Sequence, residues 1–426
     1  MKLLFIHQNF PGQYKHLVAR FGADANMQLV AIGEAVNLAK RPVPAGVNRL
    51  AYSVSRAPTQ NVHPYLRNIE AAVLRGQAVA RVALDLRRKG FVPDVICVHP
   101  AWGEALYLRD VFPESRMLCF FEFYYRGEGA DVGFDPEFPA TLDDRLRIRT
   151  WNMVQQSSFF ASDWGITPTR FQASVYPREI QARLSIIHDG IDTHALQPNT
   201  AARFALPDGH QLSRADEVVT FVSRGLEPYR GFHVLMRALP ELMRRRPKAR
   251  FVFVGGDTPS YGRKPKDAAN WREKLLAEEG SKPDKLDKLD MARLHFVGKL
   301  PYPAFVSLLQ ISRAHIYLSY PFVLSWSLLE AMALGAPVVA SDTAPVREVI
   351  QHEQNGLLFD FFDREALVSA VCRVLDDQAL SESLTQAARQ TVIQNYDLNQ
   401  VCLPAQVKLI DQLAQGSEFM VRGPVG

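Results

Sequence analysis

Val218-Val219-Thr220-Phe221-Val222-Ser223-Arg224-Gly225-Leu226-Glu227-Pro228-Tyr229-Arg230-Gly231 decides how this chain is read. Its opening run is short, apolar and rich in β-branched residues, and a turn bearing Gly and Pro bounds it, which predicts a buried strand over residues 218–223. Residues 232–245 then take up the helical period. In an open α/β sheet the carboxyl end of such a strand is where ligands sit, and the start of the following helix favours an anion. Arg224 and Arg230 stand there, so the stretch predicts two guanidinium groups clamping a diphosphate; the alternative is a pair of surface arginines beside a turn.

The same alternation of short apolar runs with amphipathic stretches extends in both directions, the signature of parallel sheets built from βαβ units. Upstream it predicts strands at residues 2–6, 29–32, 94–98, 117–121, 164–167 and 184–187, with a clear amphipathic helix over 68–89. Downstream it predicts strands at 218–223, 250–254, 294–297, 314–318, 337–340 and 356–359. A polar segment with Gln197-Pro198-Asn199 and Leu206-Pro207-Asp208-Gly209-His210 separates the two series. A chain of 426 residues is too long for a single ordinary core, which stops growing near ~250–300 residues. The expected fold class is therefore α/β, with two doubly wound Rossmann-like domains. We expect the first over 1–195, the second over 196–396, and over 397–426 a helix crossing back toward the first, plus a tail. The lysine-rich segment 258–290 is expected to be an insertion or flap, and Gly416-Ser417-Glu418-Phe419 a frayed tail.

Composition narrows the function classes. With 47% apolar and 22% charged residues the chain is globular rather than disordered. A net charge of +4 comes from local clusters such as Arg244-Arg245-Arg246, so nucleic acid is not implied. The first apolar run stops at His7-Gln8-Asn9, too short for a signal-peptide core or a membrane span. Four scattered cysteines without a C-x-x-C pair speak against a zinc site or disulfides and for a reducing cytoplasm. No G-x-G-x-x-G follows a predicted strand, which argues against an NAD oxidoreductase.

A second constellation is Leu324-Ser325-Trp326-Ser327-Leu328-Leu329-Glu330-Ala331-Met332-Ala333-Leu334-Gly335. It predicts a helix beginning near Leu328, with Glu330 in its first turn. Such a carboxylate can accept hydrogen bonds from a ribose, or it can close a capping box with Ser327.

These blocks, in this order, resemble the retaining glycosyltransferases of family 4, whose two-domain fold, called GT-B, faces its domains across a cleft. The resemblance runs along nearly the whole chain. It implies that Arg224 and Arg230 hold the diphosphate of a nucleotide sugar and assist departure of the leaving group, and that Glu330 contacts the ribose. Further matches are Pro11-Gly12, Phe296-Val297-Gly298 and Ile187-His188-Asp189-Gly190-Ile191-Asp192, which add Gly12 and Val297 to the expected donor site. Val323, Leu324, Ser325, Leu328 and Leu329 complete it, the first three through backbone N–H groups. One departure is plain. The first glutamate of the family's paired motif falls on Phe322, and the run Pro321–Trp326 is similar to that of a subgroup with Phe at this position.

In the first domain His99 ends an apolar strand, and the family has a histidine in that region that approaches the transferred sugar. This makes His99 the expected catalytic residue there; a packed histidine is the alternative. The stretch Phe121-Glu122-Phe123-Tyr124-Tyr125-Arg126-Gly127-Glu128 offers rings and acids to an acceptor, through Glu122, Tyr124 and Glu128, or else is a packed aromatic turn. The expected partners are UDP or GDP sugars and a carbohydrate, glycolipid or lipid-linked acceptor in polysaccharide or glycolipid assembly. No metal or other cofactor is expected, since no D-x-D motif lies near either cleft edge. A peripheral contact with the inner membrane face would use Arg75, Arg81, Arg87 and Arg88. Two other readings stay open: a non-catalytic binding or scaffolding protein of the same fold, and a nucleotide-sugar epimerase.

Overall fold

The computed structural model describes residues 1–42, 44–280 and 289–416. The tail from Ser417 and part of the 258–290 segment thus lie outside the described residues. The chain divides into two compact units, Met1–Asp189 with Asn399–Gly426, and Gly190–Leu398.

The first unit is built on seven parallel strands: β1 (Lys2–Ile6), β2 (Gln28–Glu34), β3 (Val47–Tyr52), β4 (Val95–Val98), β5 (Arg116–Phe120), β6 (Trp164–Thr167) and β7 (Leu184–Ile186), in the order β3-β2-β1-β4-β5-β6-β7. β1 and β4 pair from Leu3↔Val95 to Ile6↔Val98, and all four residues of β4 are buried because helices cover both faces of a parallel sheet. β3 is absent from the sequence-based reading because Asn48 and Arg49 interrupt its apolar pattern, as suits an edge strand half open to water. The helix expected over 68–89 spans Leu66–Arg88. Helix Leu403–Ala414 puts Leu409, Ile410 and Leu413 into the cluster that holds Leu3, Phe5 and Val95, so the last helix closes the core of the first unit.

The second unit carries a short antiparallel hairpin, β8 (Arg203–Ala205) and β9 (Gln211–Ser213), followed by β10 (Val218–Gly225), β11 (Arg250–Gly256), β12 (Leu294–Gly298), β13 (Ala314–Tyr317), β14 (Val338–Ser341) and β15 (Leu357–Phe359). The six parallel strands run in the order β12-β11-β10-β13-β14-β15. The hairpin occupies the segment that showed little apolar periodicity. Its strands are three residues long, too short to show a period, yet Phe204 and Leu212 enter a core cluster with Val218 and Val252. Inside the expected flap the structure places a helix, Trp271–Gly280, anchored by the buried Trp271 and Leu275.

Each sheet reverses its direction of growth once. In the first unit the chain steps outward from β1 to β2 and β3, then starts again at β4 on the other side of β1; in the second it steps from β10 to β11 and β12, then to β13. The carboxyl ends of β1 and β4, and of β10 and β13, are therefore the switch points where a doubly wound sheet opens a crevice.

Candidate functional site

At the switch point of the first unit two histidines meet. His7 follows β1 and His99 follows β4, with ring centroids 5.2 Å apart. His7 is buried, and the Asn9 N–H donates to its Nδ1 at 2.8 Å, so the ring proton belongs on Nε2. Nε2 donates to Gln13 Oε1 at 2.7 Å, which orients the Gln13 amide so that its Nε2 donates to Glu122 Oε1 at 3.4 Å. Burial first, and then the neighbouring His99, push the His7 pKa down to about 3, which keeps the ring neutral for this role.

Gly12 lies against the same ring. Its φ is +50°, and a Cβ there would sit 2.6 Å from His7 Nε2, so glycine alone fits the loop.

His99 is fully buried, stacked on Trp102 at 4.3 Å, with the Ala101 N–H 3.4 Å from its Nδ1. Its Nε2 therefore carries the proton and faces Glu122 Oε2 at 3.6 Å. Glu122, which follows β5, keeps a side chain 36% exposed. The three central strands β1, β4 and β5 thus bring His7, Gln13 and Glu122 into one hydrogen-bonded chain, with His99 3.6 Å from the Glu122 carboxylate. Tyr124 is half-buried, and its hydroxyl accepts from Gln156 Nε2 at 2.7 Å. Glu128 stands apart from that chain, in a surface ion pair with Arg145 at 2.6 Å.

In the second unit β10 delivers both arginines, in unlike settings. Arg224 is exposed and makes no ion pair among the described residues. Arg230 is 6% exposed and donates to Ser319 Oγ at 2.7 Å and to the Tyr317 hydroxyl at 3.4 Å, both at the carboxyl end of β13. Burial opposes its charge, but Tyr317, Tyr261 and Glu227 outweigh that and raise its pKa, so it stays a cation. The Tyr261 and Phe322 rings lie 5.3 and 5.7 Å from its guanidinium carbon. Gly231 follows at φ +65° with a hypothetical Cβ 2.3 Å from Leu318, and helix Phe232–Arg245 starts directly after it. Two cationic groups, a helix start and hydroxyls from the neighbouring strand at the crevice of the sheet are chemistry that suits an anion with several oxygens.

The second constellation differs from expectation. The helix spans Trp326–Ala333, two residues earlier at its start, because the Ser325 hydroxyl accepts from the Ser327 N–H and caps it. Glu330 therefore sits in the second turn and forms no capping box; it accepts a hydrogen bond from the Tyr302 hydroxyl at 2.8 Å, and burial first, then Glu330, holds that phenol's pKa well above its usual range. The Ser325 N–H is committed to the Tyr317 hydroxyl at 2.9 Å, while the Val323 and Leu324 N–H groups make no hydrogen bond among the described residues. Leu328 and Leu329 are fully buried members of the core cluster, so any contact they make with a ligand passes through the backbone. Val297 is half-buried at the end of β12, before Gly298. Of Arg75, Arg81, Arg87 and Arg88 on helix Leu66–Arg88, Arg87 pairs with Glu114 and Arg88 with Asp85. No described helix is long and apolar enough to cross a membrane.

Four residues of these surfaces escaped the sequence reading. His7 and Gln13 flank the chosen Gly12 loop, and polar side chains directly after a buried first strand were the available signal. Glu227 stood inside the quoted stretch, masked by the arginines around it. Tyr261 lay in the segment taken for a flap, and nothing local marks it.

Comparison with known proteins adds the following. Residues 25–196 match the family model described as "Glycosyl transferase family 4 group", and residues 205–391 the one described as "Glycosyl transferases group 1". Among curated proteins, the glycogen synthase of Mycobacterium tuberculosis is 29% identical over 223 residues, which cover 51% of this chain and 45% of that protein. The GDP-mannose-dependent alpha-(1-6)-phosphatidylinositol monomannoside mannosyltransferase of the same organism is 27% identical over 242 residues, covering 53% of this chain and 54% of that one. The chain thus matches about half the length of these relatives. Among solved structures, the sucrose-phosphate synthase of Thermosynechococcus elongatus superposes with a TM-score of 0.73 at 18% identity, over 98% of this chain and 100% of that one. The Anabaena protein HepE in complex with UDP and glucose gives 0.65 at 16% identity, over 96% of this chain and 100% of that one. At such identities the superpositions speak for the fold.

Proposed function

The chain carries the two domains of a GT-B glycosyltransferase, and from that premise we propose that it moves a sugar from a nucleotide-diphosphate sugar to a hydroxyl acceptor with retention of configuration. The observation that carries this reading is the placement of Arg224 and Arg230 at the β10/β13 switch point, beside the start of helix Phe232–Arg245. The hard step of such a transfer is breaking the bond between the anomeric carbon and the donor phosphate oxygen. Negative charge builds on the departing diphosphate, and fixed cations and N–H dipoles aimed at it are commonly the largest catalytic contribution. The freed phosphate oxygen takes the acceptor's proton while the acceptor oxygen bonds to the anomeric carbon on the face the phosphate left. This route needs no metal ion and no protein nucleophile.

In this reading Arg224 and Arg230 bind the diphosphate, Glu330 the ribose, and Gly12, Val297 and the Val323–Leu324 backbone the rest of the donor. His99 approaches the sugar and Glu122, with Tyr124, the acceptor. The mannosyltransferase relative supports a glycolipid acceptor, and the glycogen synthase relative a polysaccharide one. Phe322 marks the subgroup in which a ring replaces the first acidic residue. Contact with anionic lipid through Arg75, Arg81, Arg87 and Arg88 is the outermost part of the proposal, checked by liposome sedimentation.

The test is calorimetry with UDP and GDP. Arg224→Ala and Arg230→Ala should each weaken binding of the preferred nucleotide by roughly tenfold or more, the scale of a lost hydrogen bond to a charged group, and should cost ~3 kcal/mol of transition-state binding. Unchanged affinity in both would end the diphosphate assignment. A mass-spectrometric screen of nucleotide sugars then separates the remaining readings. Transfer appears only with acceptor, epimerisation yields a new nucleotide sugar without one, and a scaffold does neither.

A further inference from the structure

Glu227 carries a carboxylate with no solvent exposure, and burying one is costly unless it is saturated with partners. Its partners are three consecutive backbone N–H groups of the loop that follows β11. Ser260 donates to Oε1 at 2.7 Å, Tyr261 to both oxygens at 3.2 Å, and Gly262 to Oε2 at 2.6 Å. The approach is so close that a Cβ on Gly262 would lie 3.1 Å from Glu227 Oε2 and 3.3 Å from Tyr229. Glu227 thus ties the loop after β11 to the loop after β10, three residues before Arg230.

The tie has one consequence for the anion surface. It places Tyr261 with its ring 5.3 Å from the Arg230 guanidinium carbon and 4.9 Å from the Phe322 ring. Phe322 and Tyr320 are 3% exposed and Arg230 6%, whereas Tyr261 is 39% exposed. Of the rings packed around Phe322, Tyr261 is therefore the most exposed, ahead of the half-buried Tyr229, and its hydroxyl stands beside the buried cation.

We propose that the Ser260–Gly262 loop belongs to the diphosphate site: Glu227 is its positioning residue, and Tyr261 donates its hydroxyl hydrogen to an oxygen of the phosphate that Arg230 holds. This rests on the donor reading above and extends it to a segment outside the motif that carries that reading. A phenol donor beside a guanidinium recognises an anionic oxygen through a charge-assisted hydrogen bond, worth roughly tenfold or more in affinity. The contact reports on the second phosphate, so it acts on preference for a nucleoside diphosphate over the monophosphate.

Two variants test it, with UDP, UMP, GDP and GMP as probes in calorimetry. Tyr261→Phe keeps the ring over Arg230 and removes only the hydroxyl. It is expected to weaken the diphosphate roughly tenfold and the monophosphate less than twofold. Glu227→Gln keeps the shape but turns one acceptor into an N–H₂ group facing N–H donors. It should speed hydrogen exchange at residues 260–262 and weaken the diphosphate at least as much. A Tyr261→Phe protein whose preference for diphosphate over monophosphate equals that of the wild type overturns the inference and leaves the donor reading standing. Wild-type protein that binds neither UDP nor GDP removes both.

Discussion

Arg230 and Phe322 show how much a single position depends on its surroundings. Phe322 sits where the family resemblance calls for an acid, and the structure uses its ring to wall in a cation, with Tyr229 edge-on at 5.5 Å. Phe322→Ala should therefore lose core packing as well as ring contacts, and ~3 kcal/mol of stability in urea unfolding is the expected scale for a buried aromatic. His7 invites a different experiment. His7→Phe keeps an aromatic ring of similar size but removes the donor that orients Gln13, so on the proposed transfer turnover should fall while nucleotide affinity stays within twofold; a parallel loss of both would deny His7 this positioning role. At this scale the sequence showed which residues were available. Arg224, Arg230, His99 and Glu122 could be chosen because each follows a buried strand, whereas the partnership of His7, Gln13 and Glu122 depends on β1, β4 and β5 being neighbours, which no local pattern states.

Among the elements, the link from β10 to helix Phe232–Arg245 is the most constrained. Gly231→Ala asks an L-residue to hold φ +65° and drives a methyl group to 2.3 Å from Leu318. The left-handed conformation alone costs ~1–2 kcal/mol, so the variant should melt several degrees lower and also misplace Arg230 one residue away. The central strands were legible because strands buried on both faces read as continuous apolar runs. The exceptions follow from the same logic. β3 is an edge strand with polar residues in it, and β8 and β9 are shorter than any period. The start of helix Trp326–Ala333 was misjudged because Ser325 and Ser327 both look like caps, and only the fold shows that Ser325 does the capping and leaves Glu330 to Tyr302.

For the whole molecule, buried imidazoles set the response to acid. Burial lowers His7 to about 3, His188 to about 4 and His315 to about 3. Each takes up a proton on unfolding at a pH where the folded form refuses it, so the stability they confer is complete above about 6.5 and drains away as pH falls toward the folded values. The expected slope is ~1.4 kcal/mol per pH unit for each. Burial raises the Glu104 carboxyl, and this works in the opposite sense, offsetting part of the loss in the first unit. Urea titrations at pH 7 and pH 5 check this: equal midpoints would mean that these rings are not neutral in the folded protein.

Finally, helix Leu403–Ala414 supplies Leu409, Ile410 and Leu413 to a core whose other members begin at Leu3. About 200 residues of the second unit lie between the two parts of the first. A ribosome adding ~5–20 residues per second needs on the order of 10–40 s to make them. Throughout that interval the nascent first unit has an open apolar seam beside β1 and β4, and it becomes complete only when helix Leu403–Ala414 has been made. The first unit is thus sealed only after the second has been made, and until then its open seam is the surface a chaperone would cover.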